Sequence, residues 1–260
     1  MSRLALLTLV MLALVAPGVV AAQGTDDLKA LRQEVESLKA GIGAVQRDLQ
    51  DIKMLLQGRG AGGPPPSVVP ESLELSVGGA FAKGGDGARL VLVEFSDFQC
   101  PYCGRHVKQT MPQIERDYVA TGKLRYVVRN LPLEQIHPDA LRAAEAAECA
   151  GDQGKYWEMH ERLFGHQQAL AAPDLVRYAQ EAGAEPAAFQ TCLETAPHQA
   201  KIRQDLADAQ AAGITGTPTF FLGFADGGDK VRVARRISGA QPYPVFKGAI
   251  DALLAEGPGK

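Results

Sequence analysis

Two of the four cysteines, Cys100 and Cys103, are separated only by Pro101 and Tyr102. Cysteines at this spacing either close a small disulfide ring or supply two ligands to a metal. A mostly apolar, strand-like run over residues 90–99 leads directly into the pair, and a helical pattern follows it. This order favours redox chemistry, because free backbone N–H groups and the dipole at a helix N-terminus stabilise a thiolate. Cys100 would lie nearest the helix start, so we interpret it as the nucleophile.

Two other chemistries remain open for this pair. A purely structural disulfide would contribute little stability, because a ring with two intervening residues hardly constrains the chain. A metal site would need Cys100, Cys103 and His106 together, and the sequence has no second cysteine or histidine pair at ligand spacing. We therefore predict neither a metal nor a cofactor.

A carboxylate lies within the same strand-like run. Glu94 precedes Cys100 by six residues in an otherwise apolar segment. Acidic side chains are rarely buried without a function, which makes Glu94 a candidate for proton transfer. The alternative is a strand residue whose side chain faces solvent.

The elements that must position these residues follow the order of an α/β domain. Residues 73–77 predict an edge strand, 89–95 and 124–129 two central strands, and 104–120 a helix kinked at Pro112. Residues 138–210 are alanine-rich and predict three or four helices, with breaks near residues 151–154, 171–173, 183–186 and 197. Strand patterns return at 219–222 and 231–237, and residues 244–254 predict a closing helix. A helical insertion therefore interrupts an α/β domain.

The N-terminal residues predict export. Arg3 precedes an apolar stretch of about a dozen residues, which is too short to span a bilayer. Small residues precede and include Ala22, so we predict a signal peptide over residues 1–22 that is cleaved after Ala22. The alternative is an uncleaved anchor. The net charge of −3 excludes a strong positive potential that would attract nucleic acid or anionic lipid. Export would place the cysteines in a compartment where disulfides persist.

Residues 23–57 predict a coiled-coil oligomerisation helix. Apolar residues recur from Leu28 to Leu56 at alternating spacings of three and four. With Leu28 at position a, three pairs of a g residue and the following e residue have opposite charges, as a parallel coiled coil requires: Asp27–Arg32, Glu34–Lys39 and Asp48–Lys53. The alternative is a single amphipathic helix packed on its own domain, and the pattern does not choose between dimer and trimer. Residues 58–70, rich in glycine and proline, predict a linker.

Four dispersed motifs resemble those of DsbA-like thiol-disulfide oxidoreductases. In chain order they are Phe95-Ser96-Asp97-Phe98-Gln99-Cys100-Pro101-Tyr102-Cys103, Gln153-Gly154-Lys155-Tyr156-Trp157, Gly216-Thr217-Pro218-Thr219-Phe220 and Ile237-Ser238-Gly239-Ala240-Gln241. The resemblance implies a thioredoxin fold over residues 71–136 and 211–260, with residues 137–210 as an inserted all-helical domain. The N-terminal coiled coil lies outside this pattern and resembles the stalk of periplasmic disulfide isomerases.

The resemblance also implies a role for each site residue. Cys100 attacks the substrate, Cys103 resolves the mixed disulfide, and Glu94 is a buried acid that exchanges protons with Cys103. Thr217 offers its backbone to a substrate strand, next to a cis peptide bond at Pro218. The residues implied to tune the potential of the redox-active Cys100–Cys103 disulfide are Pro101 and Tyr102.

The other two cysteines, Cys149 and Cys192, both fall in the predicted helical insertion. Paired, they would join its helices and stabilise the fold by roughly 4 kcal/mol. The alternative is two small, buried, unpaired thiols. We expect no ligand cluster from the histidines of this region. We also expect His106 to be a solvated helix residue, and Tyr156 and Trp157 to belong to the core of the helical domain.

These features predict an exported thiol-disulfide oxidoreductase, periplasmic or otherwise secreted, that forms or isomerises disulfide bonds in other secreted proteins. Its expected partners are unfolded or misoxidised secreted proteins, a membrane thiol-redox protein, and further copies of the chain joined through residues 25–57. We expect no nucleic-acid partner. The alternatives are a monomeric DsbA-type oxidase and a holdase-like binding protein with a secondary redox site.

Overall fold

The computed structural model describes residues 73–226 and 228–256, together with Val35, Lys39, Ser67 and Val68. The chain divides into two units, Met1–Ala61 and Gly62–Lys260, and the second is described below. The predicted signal peptide lies outside the described residues, as does all of the predicted coiled coil except Val35 and Lys39, which are helical and exposed. None of the described helices combines the length and the apolar character that crossing a bilayer requires.

The described residues contain seven strands, which form one mixed sheet. They are β1 (Ser67–Val68), β2 (Glu74–Ser76), β3 (Phe81–Lys83), β4 (Leu90–Ser96), β5 (Leu124–Asn130), β6 (Thr219–Ala225) and β7 (Lys230–Ser238). The sheet order is β1-β7-β6-β4-β5-β3, and β2 also pairs with β7. Because β4 lies between β5, to which it is parallel, and β6, to which it is antiparallel, it occupies the predicted central position.

Strand β4 is buried along its whole length. Leu92 packs in the apolar core that contains Phe246, whereas Val93 packs in the core on the other face of the sheet. Because successive side chains of a strand alternate between faces, Glu94 shares the face of Leu92. The strand therefore carries a carboxylate into an apolar core.

Eight α-helices and one π-helical turn complete the described part of the chain. They are α1 (Pro101–Gln109), α2 (Met111–Ile114), the π-helical turn Glu115–Val119, α3 (Ala140–Gly151), α4 (Tyr156–Gly165), α5 (Ala172–Glu181), α6 (Pro186–Thr195), α7 (Gln199–Ala211) and α8 (Tyr243–Glu256). Helices α3–α7 lie between β5 and β6 in the chain. The predicted α/β class with a helical insertion is confirmed.

Two helical predictions need correction. Helix α1 begins at Pro101 rather than at residue 104, because proline has no N–H to lose in the first turn and its fixed φ suits that position. It ends at Gln109, three residues before Pro112, and the chain continues through α2 into the π-helical turn. The insertion has five helices rather than three or four, although each predicted break does separate two of them.

Two short strands are absent from the sequence prediction. Strand β3 pairs with β5, and β1, which lies within the predicted linker, pairs with Arg235 and Arg236 of β7. Strands of two or three residues carry too little alternation to be recognised in a sequence. They form because β5 and β7 offer free edges with unpaired backbone groups.

A buried ion-pair network joins α7 of the insertion to the sheet. Arg129 of β5 donates to Asp205 and to Asp208, each over 2.5 Å, and Asp205 also accepts the amide N–H of Asn130. Arg129 further donates to the carbonyl of Ser76, so each of its three side-chain nitrogens has a hydrogen-bond partner, which offsets the cost of burying the charge. The network fixes the insertion at the end of β5 that lies beside the end of β4, from which the chain continues to Cys100.

Candidate active site

Cys100 occupies the N-terminal cap of α1, a few residues after β4 ends. Its backbone is extended (φ −70°, ψ 122°), and its carbonyl accepts the amide N–H of Gly104 over 3.1 Å. Both cysteines of the motif are free thiols, which is the dithiol form of the predicted redox pair. Cys100 is 4% exposed and Cys103 is 0% exposed, so Cys100 is the more accessible of the two.

The two thiols have pKa values shifted in opposite directions. The pKa of Cys100 is lowered to about 6, first by a hydrogen bond from the Cys103 thiol and then by Thr217 and nearby backbone N–H groups, which outweigh burial. Burial raises the pKa of Cys103 well above its usual value, and the neighbouring charges of Glu94 and Cys100 raise it further. At neutral pH, Cys100 is therefore mainly a thiolate while Cys103 keeps its proton.

Glu94 is fully buried, so the alternative of a solvent-facing strand residue is wrong. One carboxylate oxygen accepts the Ser96 hydroxyl over 2.8 Å, and the other accepts the Tyr126 hydroxyl. Burial raises the pKa of Glu94 to about 7, although both hydrogen bonds lower it. A carboxyl with this pKa gains or loses a proton readily near neutral pH.

His106 is also fully buried, so its prediction as a solvated helix residue is wrong. It lies on the inward face of α1, where its ring packs against Phe220 and Phe246. Its Nε2 lies 2.9 Å from the hydroxyl oxygen of Tyr126, so the imidazole is hydrogen-bonded within the core. The helical pattern alone could not show this, because His106 is polar. Its face of α1 is buried only because β6 and α8 pack against it.

The peptide bond between Thr217 and Pro218 is cis, as the sequence resemblance implies. The Cys100 thiol, when protonated, donates a hydrogen bond to the carbonyl oxygen of Thr217 over 3.5 Å. The carbonyl of Pro218 accepts the amide N–H of Gly239 over 2.8 Å, which ties this loop to the end of β7. Thr217 and Pro218 therefore lie directly against the nucleophile although they are distant in sequence.

A groove of about 570 Å³ opens beside the motif. Its walls include Tyr102, Arg105, His106, Thr217 and the loop that follows β7. Tyr102 is 57% exposed, and the Arg105 guanidinium lies over its ring at 5.1 Å. Pro101 is exposed as well, so both residues between the two cysteines reach the surface.

Several side chains that hold the motif in place were not singled out from the sequence. Gln167 donates from its amide to the carbonyls of Phe98 and Cys100 over 2.9 and 2.8 Å. A Cβ atom at position 104 would lie 2.2 Å from the Gln167 side chain, so the close approach requires Gly104. The buried carboxylate of Asp97 accepts the amide N–H groups of Gln99 and Leu133. Asp97 belongs to a quoted motif, but Gln167 carries no local signal.

The structure joins Cys149 of α3 to Cys192 of α6 in a disulfide, which confirms the predicted pairing. Glu145 and His198 lie beside it, and the potential ligand atoms of the four residues are within 4.8 Å of one another. His198 thus lies close to three side chains of ligand type. The two sulfurs are bonded to each other, however, and the His198 ring instead bonds Asp152 over 2.8 Å.

The aromatic residues of the second motif lie where the sequence predicts. Tyr156 is buried and stacks on Phe81 at 4.0 Å between ring centroids. Trp157 packs partly buried beside it and donates to the carbonyl of Ala82 over 3.2 Å. Both residues therefore form part of the seam between the insertion and β3.

Comparisons with known proteins agree with this geometry. The family model described as thioredoxin matches residues 76–235. The sodium/proton antiporter NhaA 3 of Salinispora tropica is 41% identical over 140 residues, which are 54% of this chain and 21% of the antiporter. The chain thus spans about a fifth of the length of that relative.

Two solved structures share the fold. The alpha-DsbA1 of Wolbachia pipientis has a TM-score of 0.60 at 24% identity, covering 70% of this chain and 94% of that chain. A thioredoxin-like oxidoreductase from Silicibacter pomeroyi has a TM-score of 0.57 at 27% identity, covering 69% and 94%. The chain therefore belongs to the thioredoxin family, and its fold is similar to that of DsbA-type proteins.

Proposed function

We propose that this protein is exported and that it forms or isomerises disulfide bonds in other secreted proteins. The observation that carries the proposal is the asymmetry of the two thiols. Cys100 has a pKa lowered to about 6 at the start of α1, whereas Cys103 is buried with a raised pKa. A reactive outer thiolate beside a protonated inner thiol suits transfer of a disulfide between proteins.

In the oxidising direction, a substrate thiolate attacks Cys100 of the Cys100–Cys103 disulfide. The sulfur of Cys103 leaves and takes a proton from Glu94, and a mixed disulfide remains between Cys100 and the substrate. A second thiolate of the same substrate then attacks the substrate sulfur of that mixed disulfide. The bond to Cys100 breaks, and Cys100 is released as a thiolate. The substrate loses two electrons and gains a disulfide, while the protein becomes a dithiol.

In the isomerising direction, the Cys100 thiolate attacks an incorrect substrate disulfide. The released substrate thiolate is free to attack a different sulfur, and a later substrate thiolate displaces Cys100, so no net oxidation occurs. Thr217, whose backbone lies against Cys100, would hold the substrate segment. Pro101 and Tyr102, both exposed, would contact the same segment and tune the potential of the pair.

The expected partners follow from this chemistry. Unfolded or misoxidised secreted proteins are the substrates, and a membrane thiol-redox protein restores Cys100 and Cys103 to the required state. The predicted signal peptide of residues 1–22 supports action outside the cytoplasm. The heptads of residues 25–57 support a homo-oligomer whose several active sites engage one substrate together.

The decisive experiment traps the substrate bond. Reduced Cys103→Ser protein, incubated with scrambled ribonuclease, should form a mixed disulfide at Cys100 that a reducing agent releases. Cys100→Ala should form none, and wild type should regain ribonuclease activity with time. A wild-type protein that neither traps nor refolds the ribonuclease, but still suppresses its aggregation, would favour the holdase alternative.

The stalk distinguishes an isomerase from a monomeric oxidase. Leu38→Asp with Val45→Asp places charges at two d positions of the heptads and should dissociate the oligomer while leaving Cys100 untouched. Isomerisation of scrambled ribonuclease should fall, whereas oxidation of a short dithiol peptide should not. Equal isomerase activity in the dissociated protein would show that isomerisation does not need the oligomer. A wild type that sediments as a monomer would show that residues 25–57 form no oligomer.

A further inference from the structure

Three buried side chains form a continuous hydrogen-bonded row, of which thiol–disulfide exchange as described above uses only the first. Tyr126 donates its hydroxyl to Glu94, and Nε2 of His106 lies 2.9 Å from the same hydroxyl oxygen. All three side chains are 0% exposed. The row crosses from β4 through β5 to α1, and its inner end is the Glu94 carboxyl, whose charge helps to raise the pKa of Cys103.

The outer end of the row lies in the wall of the groove. His106 contributes to the wall of the groove beside the motif, and its second ring nitrogen, Nδ1, is buried and has no hydrogen-bond partner among the described residues. A neutral imidazole has one donor and one acceptor nitrogen, so it can accept a proton on one side and release another on the other side. Burial lowers the pKa of His106 to about 3, which keeps the ring neutral.

We propose that Tyr126 and His106 relay protons between the buried Glu94 carboxyl and solvent in the groove. This inference rests on the proposed exchange reaction. When Cys103 attacks the mixed disulfide, its sulfur bonds to Cys100, the substrate sulfur leaves as a thiolate, and the Cys103 proton passes to Glu94. Glu94 then donates that proton to the Tyr126 oxygen, the Tyr126 proton moves to Nε2 of His106, and the Nδ1 proton leaves to water.

The net transfer is one proton from Cys103 to solvent. When Cys103 is the leaving group, the same steps in reverse bring one proton from solvent to Cys103. Without such a path a fully buried carboxyl would exchange its proton with solvent only slowly. The other partner of Glu94, the Ser96 hydroxyl, makes no further hydrogen bond in the part of the chain that the structure describes. Tyr126 is therefore the one hydrogen-bonded exit from Glu94 within those residues.

Other ionisable groups surround the row on every packed element. They are Cys100 and Cys103 of the motif, Glu115 of the π-helical turn, and Tyr156 and His160 of α4. Glu115 is paired with Lys83 at 2.7 Å, and burial keeps His160 neutral by lowering its pKa to about 3. None of these groups hydrogen-bonds Glu94 in the described structure, so variants at His106 and Tyr126 test the row itself.

The test follows the mixed disulfide in a single turnover. Reduced protein is mixed with glutathione disulfide, quenched with acid at intervals, and weighed by mass spectrometry. His106→Ala should form the Cys100–glutathione disulfide within twofold of the wild-type rate but resolve it at least about tenfold more slowly. Imidazole added to the solution should restore resolution. 1-Methylimidazole, which fills similar space but cannot pass a proton from one nitrogen to the other, should not.

Tyr126→Phe removes only the hydroxyl and so tests the row without a large cavity. Resolution should slow as in His106→Ala, and the pKa of Glu94 should rise because one hydrogen bond that lowers it is lost. His106→Ala should leave the Glu94 titration, followed by carbon-13 NMR, unmoved. Matched controls are His160→Ala and Tyr178→Phe, two buried residues outside the row whose variants should resolve the mixed disulfide within twofold of wild type.

Each alternative outcome has a separate meaning. Resolution at the wild-type rate in His106→Ala, equal rescue by both imidazoles, or equal slowing in His160→Ala would each overturn the relay. A wild-type protein that forms no mixed disulfide with glutathione would overturn the proposed function and the relay together. A reactive wild type with unaffected variants would overturn the relay alone.

Discussion

The two cysteine pairs lie within one globular unit, and their surroundings differ at almost every point. Cys100 and Cys103 span the first turn of α1, beside a cis proline, a buried acid and an open groove. Cys149 and Cys192 join two helices of the insertion across 43 residues of chain. One cysteine pair thus lies where its surroundings stabilise a thiolate, and the other lies where a disulfide joins two helices.

This contrast teaches that loop length and electrostatics, rather than the cysteines themselves, decide which pair is reactive. A disulfide stabilises a fold mainly by restricting the unfolded chain, so the long loop gains stability and the two-residue ring gains little. The short ring instead acquires a lowered pKa at Cys100 and a raised pKa at Cys103. The predictions below test this division of roles, from the largest expected effect to the smallest.

Cys100→Ala should abolish disulfide exchange, with a rate loss on the order of 10⁴-fold or more, because the attacking sulfur is gone. The double variant Cys149→Ala/Cys192→Ala should keep its rate within about threefold, since neither sulfur enters the reaction. A peptide disulfide with a fluorescent leaving group measures both rates at a temperature where both variants are folded. Comparable losses in the two variants would contradict the division of roles.

Cys149→Ala/Cys192→Ala should instead lose roughly 4 kcal/mol of unfolding free energy, as expected for a loop of 43 residues. Urea denaturation followed by circular dichroism measures this loss. Wild type in excess reductant serves as the control and should show a similar decrease. A loss smaller than about 1 kcal/mol would mean that helix packing, rather than the disulfide, holds α3 and α6 together.

Glu94→Gln should change how stability depends on pH. The folded pKa of Glu94 is about 7 against an ordinary 4.5, so the folded state holds its proton through a range in which the unfolded state has lost it. Stability contributed by the protonated carboxyl is therefore full below pH 4.5 and is lost as pH rises to 7. The free energy of unfolding of the wild type should therefore fall by about 3 kcal/mol relative to that of the variant as the pH rises through this window.

Urea denaturation of the two reduced proteins between pH 4 and pH 8 measures the difference, and the titration of Cys100 largely cancels between them. The matched control is Glu74→Gln, at an exposed carboxylate paired with Lys230 on the surface. The free energy of unfolding of this control should change with pH in the same way as that of the wild type. Parallel slopes for Glu94→Gln and wild type would show that Glu94 is not held protonated by burial.

Gln167→Ala should have the smallest effect, a loss of about 1–2 kcal/mol, because two hydrogen bonds to backbone carbonyls of the motif loop disappear. Hydrogen exchange at the amides of residues 98–104 should rise while α4, which precedes Gln167, stays protected. Gln190→Ala, which removes one exposed side-chain bond to Glu194, is the control and should change little. Unchanged exchange at the motif would mean that the loop needs no such clamp.

The features that the sequence predicts correctly are those with local signals. The apolar run into Cys100, the alanine-rich block and the four helix breaks all follow from composition and spacing. The buried acid and the cis proline came from the resemblance, which depends on short motifs read along the chain. Helix counts and two short strands were missed, because they depend on free sheet edges and on capping that a local pattern does not contain.

The amino-acid sequence by itself determined the reactive pair, its helix-start position and the α/β order, because these depend on neighbours along the chain. Only the tertiary structure decided that Tyr126 links Glu94 to His106, and that Gln167 clamps the motif, because these contacts join residues from separate elements. Their burial is set by packing of β4, β5, α1 and α4 together. The distinction between the two cysteine pairs likewise arises from surroundings that form only when the sheet and the insertion fold.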